Sequence, residues 1–182
     1  MRRTLLAFLL ATAVTSASAN DQIAITTYET RNGSLIPGDS PIRYCSNPTN
    51  DTFKIESIDM YPNPCVIESY CGVKIWGTFT SNLTNPHISF MITTHFDDGR
   101  QGQMPGEDDF CKWLDVVQND TSQCPPREGK ATLSSTALLL GGWVPEANYT
   151  VDVRVTSDQG PVFHICADFE MKPKYEDGVE LR

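Results

Sequence analysis

The strongest constraint on this chain is a hydrophobic period of two. Phe163, Ile165, Ala167, Phe169 and Met171 alternate with His164, Cys166, Asp168, Glu170 and Lys172. Val151, Val153 and Val155 alternate with Asp152, Arg154 and Thr156, and Ile88, Phe90, Ile92 and Phe96 with Ser89, Thr93 and His95. Val73, Ile75 and Phe79 do the same against Lys74, Trp76, Thr78 and Thr80. Successive side chains of a strand leave opposite faces, so each run reads as a strand with one apolar face. Phe53 and Ile55 open a further run whose register shifts before Ile58 and Met60, which predicts a bulge near Ser57. Pro62-Asn63-Pro64, Asn85-Pro86, Asp98-Gly99, Pro125-Pro126, Pro145 and Gln159-Gly160-Pro161 punctuate the runs at turn spacing. The last of these joins two of the cleanest strands and predicts an antiparallel hairpin. Neither an amphipathic helix nor a solenoid repeat is evident. Strands with one apolar face must cover it with a second sheet, so the chain reads as all-β, a two-sheet antiparallel β-sandwich. Residues 97–124, rich in Gly, Asp and Gln, read as a long loop beside the sheets.

The N-terminus sets the compartment. Arg2 and Arg3 precede an apolar run from Leu5 to Val14, and small residues follow to Ala17-Ser18-Ala19. This is the pattern of a secretory signal over residues 1–19, too short to span a membrane. A polar extension over 20–36 and a polar tail over 173–182 would flank one domain at 37–172. The protein is thus expected in the secretory pathway, secreted or in a vacuolar or lysosomal lumen. There the six cysteines would be oxidised. Six cysteines allow fifteen pairings, and spacing alone does not choose. Short separations suit Cys65–Cys71 and Cys111–Cys124, which would leave Cys45–Cys166 to join the ends. Five sequons, at Asn32, Asn50, Asn82, Asn119 and Asn148, mark candidate glycosylation sites.

Charge and motif limit the chemistry. Fourteen Lys and Arg stand against 23 Asp and Glu, and this acidic balance argues against a nucleic-acid partner. No catalytic residue and no metal ligand is assigned. The G-x-S-x-G elbow and the glycine-rich phosphate loop are absent. The acidic clusters at Asp97-Asp98 and Glu107-Asp108-Asp109 lack calcium-loop spacing and read as solvated loop charge. His95 and His164 alternate with apolar neighbours and should point outward. No enzyme activity, cofactor or oligomer is expected, and the chain reads as a monomer. What stands out is the inward load of large apolar side chains. It fits either an ordinary packed core, as in a recognition or adhesion module without cargo, or two splayed sheets with an apolar pocket between them. Such a pocket stays dry and accepts an apolar guest, and at about 0.8 kcal/mol per CH₂ a sixteen-carbon chain contributes roughly 12 kcal/mol before ordering costs. Periodicity does not separate the two.

Pro37-Gly-Asp-Ser-Pro-Ile-Arg-Tyr-Cys45 and Phe53-Lys-Ile-Glu-Ser-Ile-Asp-Met-Tyr-Pro-Asn-Pro64 resemble the opening of the fungal phosphatidylglycerol/phosphatidylinositol transfer proteins. Gly77-Thr-Phe-Thr-Ser-Asn82 resembles a strand end in the soluble Niemann-Pick type C sterol-transfer protein. Cys124-Pro125, Gly129, Pro145, Tyr149-Thr-Val-Asp-Val153 and the run from Gly160 to Cys166 continue the pattern. Together these resemble the ML (lipid-recognition) domain family over about residues 37–171. The resemblance implies an immunoglobulin-like sandwich with a lipid pocket between its sheets. It also implies disulfides Cys45–Cys166, Cys65–Cys71 and Cys111–Cys124. The implied function is binding of a phospholipid or sterol and its transfer between membranes, with transient contact to a membrane surface. Ile75, Phe79, Phe90, Ile92, Phe96, Val151, Val153, Val155, Phe163 and Ile165 would line the pocket, with Trp143 and Val144 from the stretch matching the family's mouth. Met104 and Phe110 would stand at the rim. The loop from Asp97 to Asp109 departs from the family pattern, and the mouth motif is only approximately kept.

Overall fold

The computed structural model describes residues 33–139 and 144–173. The strands are β1 (Arg43–Tyr44), β2 (Phe53–Tyr61), β3 (Val66–Ile67), β4 (Ser69–Phe79), β5 (His87–His95) and β6 (Gln101–Asp109). After a single helical turn, α1 (Phe110–Trp113), come β7 (Asp115–Gln118), β8 (Thr121–Ser122), β9 (Gly129–Leu139), β10 (Ala147–Ser157) and β11 (Gly160–Pro173). They form two sheets. The first runs β1-β11-β10-β5-β6, with β3 added parallel to the end of β11, and the second runs β2-β4-β9-β7-β8. The fold is the expected two-sheet sandwich, with every main ladder antiparallel. The candidate signal, most of the N-terminal extension and nearly all of the tail lie outside the described residues, as does the weak strand pattern at 23–28.

The predicted hairpin is β10–β11, closed at Ser157↔Gly160, where Gly160 takes a φ of 115° that a side chain would resist. The predicted bulge is present in β2. Ile55 faces Gly77 and Ser57 faces Trp76, which leaves Glu56 as the extra residue. The three disulfides pair as the resemblance implied, with Cα–Cα distances of 5.6 Å for Cys45–Cys166, 5.4 Å for Cys65–Cys71 and 5.8 Å for Cys111–Cys124.

Residues 97–124 correct the sequence reading, since they hold β6, α1, β7 and β8 rather than a long loop. Among the described residues β6 is an edge strand bonded only to β5, and Pro105, facing Met91, is tolerated there because an edge leaves one side of the ladder unused. Its inward positions are Gly102, Met104, Gly106 and Asp108, partners of Thr94, Ile92, Phe90 and Ile88. Glycine and aspartate at three of four inward positions erase the alternation. β9 was equally faint, because its inward positions include Ala131, Ser135 and Ala137.

The end of the sandwich at the β10–β11 turn is here termed the base, and the end where Ala147 faces Met171 the crown. At the base, Phe53, Ile58, Ile75, Phe79, Ile88, Leu133, Val155 and Phe163 from both sheets form one closely packed cluster. Phe53 carries two ring contacts within it, at 4.4 Å to Phe79 and 6.0 Å to Phe163. At the crown a smaller cluster gathers Ile67, Ala147, Tyr149 and Met171, with Leu139 and Phe96 packed against it.

Candidate functional site

The alternation carries one continuous apolar face along β5, β10 and β11, yet that face is unevenly covered. In the base row Val155 faces Ile88 on one side and Phe163 on the other, and all three are buried. One row up, Val153 faces Phe90 and Ile165; the next row is Val151 with Ile92 and Ala167. Val153, Phe90, Val151 and Ile92 are only half-buried, although they point inward. Val153 leans on the base cluster and Ile92 on the crown cluster, while Val151 belongs to neither. The face is therefore filled at both ends and under-filled between them.

The second sheet explains the under-filling. β7 pairs with β9 only at Asp115↔Ser134, Val116↔Leu133 and Val117↔Thr132. Beyond Ser134, toward the crown, β9 has no strand neighbour on that side among the described residues, and it offers Ser135 and Ala137 where the base offers Ala131 and Leu133. Ala137 is exposed although it lies on the inward register, and Val73, opposite Ser135, is half-buried. On the same side of the first sheet the edge strand β6 presents Met104, 55% exposed. The edge between the crown half of β6 and that of β9 is thus open. The base half is shut by α1, which Asp109 caps by accepting from the Cys111 amide at 2.7 Å, and which drives Phe110 into the core.

These facts sort the expected site residues. Phe90, Ile92, Val151 and Val153 fall in the under-filled band. Ile75, Phe79, Val155, Phe163 and Ile165 are buried among protein neighbours in the base cluster. Phe110, expected at the rim, is fully buried there too, so the structure corrects that reading: the capped turn of α1 points it inward. Met104 stands at the open edge. Phe96 and Val144 pack on the crown cluster, and Arg100 lies 5.3 Å over the Phe96 ring. Trp143 lies outside the described residues. Sequence reasoning missed Val73, Leu139 and Tyr149. Val73 carried the signal, being in an alternating run; Tyr149 shared the period of Val151 and Val153. Phe90 itself bends over Gly106 and meets Trp113 edge-on at 4.8 Å between centroids.

Ser135 apart, the following polar groups lie away from the band. Tyr149 donates its hydroxyl to the Pro145 carbonyl at 2.6 Å, and burial pushes its pKa up. His164 meets Asp152 at 2.9 Å and His95 meets Thr150 at 3.0 Å on the outer face of the first sheet. Arg43 bonds Asp168, which also accepts from Thr150. A recess of about 520 Å³ on that outer side, at the base, is lined by Asp51, Arg154, Thr156 and His164 among others. Asp51 is 5% exposed and its Oδ2 has no hydrogen-bond partner. Burial raises its pKa, and the charges of Lys54 and His164 offset part of that rise.

Comparison with known proteins places the chain in a family. The phosphatidylglycerol/phosphatidylinositol transfer protein of Emericella nidulans is 28% identical over 152 residues, covering 84% of this chain and 85% of its own. Its namesake in Aspergillus oryzae is 25% identical over 125 residues, 69% of this chain and 67% of its own. A Niemann-Pick type C2 protein from the Japanese carpenter ant superposes with a TM-score of 0.47 at 11% identity, over 70% of this chain and 98% of that one. Residues 39–172 match the family described as the ML domain, and the chain belongs to that family.

Proposed function

We propose that this protein binds a phospholipid or sterol and transfers it between membranes, holding the apolar part of the lipid in the under-filled band between its sheets. The observation that carries the reading is the interrupted core. Val151, Ile92, Val153 and Phe90 point inward but stay half-buried between two packed clusters, beside an open sheet edge. Hydrocarbon there would meet apolar walls, and its capture would be driven by surface removed from water. No covalent step is required. A tail would enter past Met104 and Ala137, and the polar head would remain at the edge. The names of the Emericella and Aspergillus relatives support phospholipid as the cargo. Three disulfides suit an oxidising compartment, so the protein would act in a lumen or outside the cell, touching membranes transiently. Ile75, Phe79, Val155, Phe163 and Ile165 form the floor on which the cavity rests rather than its lining.

Native mass spectrometry of the purified protein, followed by extraction and identification of the bound lipid, tests the binding. A vesicle-to-vesicle assay with a fluorescent phosphatidylinositol tests delivery. Lipid-free protein that moves nothing would leave the rival reading, a recognition module without cargo. Lipid bound but not delivered would mean sequestration.

A further inference from the structure

Three of the four sequons among the described residues lie at the base. Asn50 ends the short 3-10 turn that leads into β2, next to the base contact of the Thr52 amide with the Pro161 carbonyl. Asn82 follows the base end of β4, its Oδ1 accepting from the Glu128 amide at 2.9 Å, while the neighbouring Leu83 anchors in the base cluster. Asn119 and Asp120 form the two-residue turn between β7 and β8, with φ of 50° and 60°. All three are exposed. Asn148 lies near the crown but on the outer register of β10, alternating with inward Ala147 and Tyr149, so it faces away from the second sheet. Asn32 lies outside the described residues. The crown of the second sheet, among the described residues, carries no sequon. It carries instead two exposed tyrosines on its outer face, Tyr61 on β2 and Tyr70 (65% exposed) on β4, with β9 between them and the edge where Met104 is bare. Tyrosine is the side chain that sits at a bilayer interface, ring in the apolar boundary and hydroxyl in water.

We infer that N-linked glycans at Asn50, Asn82 and Asn119 sheathe the base, and that the sugar-free crown of the second sheet, with Tyr61 and Tyr70, is the face turned to the bilayer. A glycan is bulky and strongly hydrated, so the face that carries it is held off a membrane. The docking half of this inference rests on the lipid-transfer reading above; the glycan map does not. Asp97 and Asp98 lie at the same end, so a zwitterionic surface is the suitable probe.

The test uses the full chain secreted from a eukaryotic host. Glycopeptide mapping should find sugar on Asn50, Asn82 and Asn119. A new sequon is then placed at the crown by Glu68→Asn with Tyr70→Thr. Glu68 has a φ of 63°, a conformation asparagine accepts readily. Transfer of fluorescent phosphatidylinositol from phosphatidylcholine vesicles should fall at least tenfold relative to Tyr70→Thr alone, and should return when the glycan is removed enzymatically. That recovery separates a sugar block from misfolding. Replacing Asn50, Asn82 and Asn119 with Gln should leave the rate within twofold. Bare asparagines at the base would overturn the glycan map. Crown-glycosylated protein that transfers as fast as its control would overturn the docking face. If the unaltered protein moves no lipid, the functional reading fails and the docking face with it, while the glycan map stands or falls on the mapping alone.

Discussion

Val151→Phe separates a lipid-accepting gap from a packed core. Val151 and Val155 share a strand, a face and a chemistry, and lie two rows apart on β10. Val155 is 0% exposed, enclosed by Ile88 and Phe163, whereas Val151 is half-buried and joins neither cluster. A phenyl ring forced into the Val155 row has no space, and overpacking of that kind costs about 1–3 kcal/mol. At Val151 the ring would occupy room meant for cargo, and its own burial would leave the empty protein no less stable. If the ring displaces about four methylenes of an acyl chain, at about 0.8 kcal/mol each, binding weakens by about 3 kcal/mol, roughly a hundredfold in Kd. The assays are chemical denaturation of delipidated protein and titration with a fluorescent phosphatidylinositol. The expected pattern is crossed: Val151→Phe loses lipid and keeps stability, Val155→Phe loses stability. If Val151→Phe unfolds the protein as readily as Val155→Phe while lipid binding survives, the inter-sheet gap is the wrong place.

Other outcomes follow from single features. Gly106→Ala places a methyl about 2.1 Å from the Phe90 ring, so the ring must swing off Trp113; a change in tryptophan emission with a loss of about 1–3 kcal/mol in denaturant titration is expected, and an unchanged spectrum would refute the packing. Asp51 binds its proton more tightly folded than unfolded, so it favours the fold most at acid pH, and that contribution is lost as pH rises from its unfolded pKa of about 4 through its higher folded one. Asp51→Asn should therefore raise the melting temperature at pH 7 and converge with wild type near pH 3; a lower value at pH 7 would show that the ionised carboxylate has a partner. Removing Cys45–Cys166 by paired alanines opens a loop with a sequence separation of 121. The chain-entropy model puts the loss at about 4–5 kcal/mol, readable as a lower guanidinium midpoint, and a loss below about 1 kcal/mol would mean that closure hardly constrains the unfolded chain.

The fold was legible where inward side chains are large. β10 and β11 could be read from their alternation, and their hairpin with them, because one face is mostly Val, Ile and Phe and the other mostly polar or charged. β6 and β9 were not, because the signal is the contrast in size and polarity between faces. Gly102, Gly106 and Asp108 in one, and Ser135 and Ala137 in the other, carry none. The candidate site was half legible for a related reason. Alternation says which way Val151 and Val155 point, and it says so identically for both. Whether each is covered depends on the second sheet, and so on where β7 stops pairing with β9, which no local pattern in β10 reveals. Phe110 was misplaced because the resemblance set it at the rim, whereas the Asp109 cap turns the ring inward.

The same residues that hid β6 and β9 from sequence make the gap. A strand built of Gly102, Met104 and Gly106 gives little to cover Ile92 and Phe90, and one built of Ser135 and Ala137 gives little to cover Val151. Had these been Val or Leu, the strands would have been plain to read and the core continuous. A Val or Ile left up to about a third exposed forgoes up to about a third of the roughly 1.5–3 kcal/mol that full burial contributes, so Val151, Val153 and Ile92 together forgo at most about 1.5–3 kcal/mol. The base cluster and three disulfides hold the sandwich without that contribution. An acyl chain laid along the band would recover it and add its own burial, several-fold larger. A carrier must stand empty between membranes, and this arrangement allows that: stability comes from the two ends, and under the proposed function affinity would come from the middle.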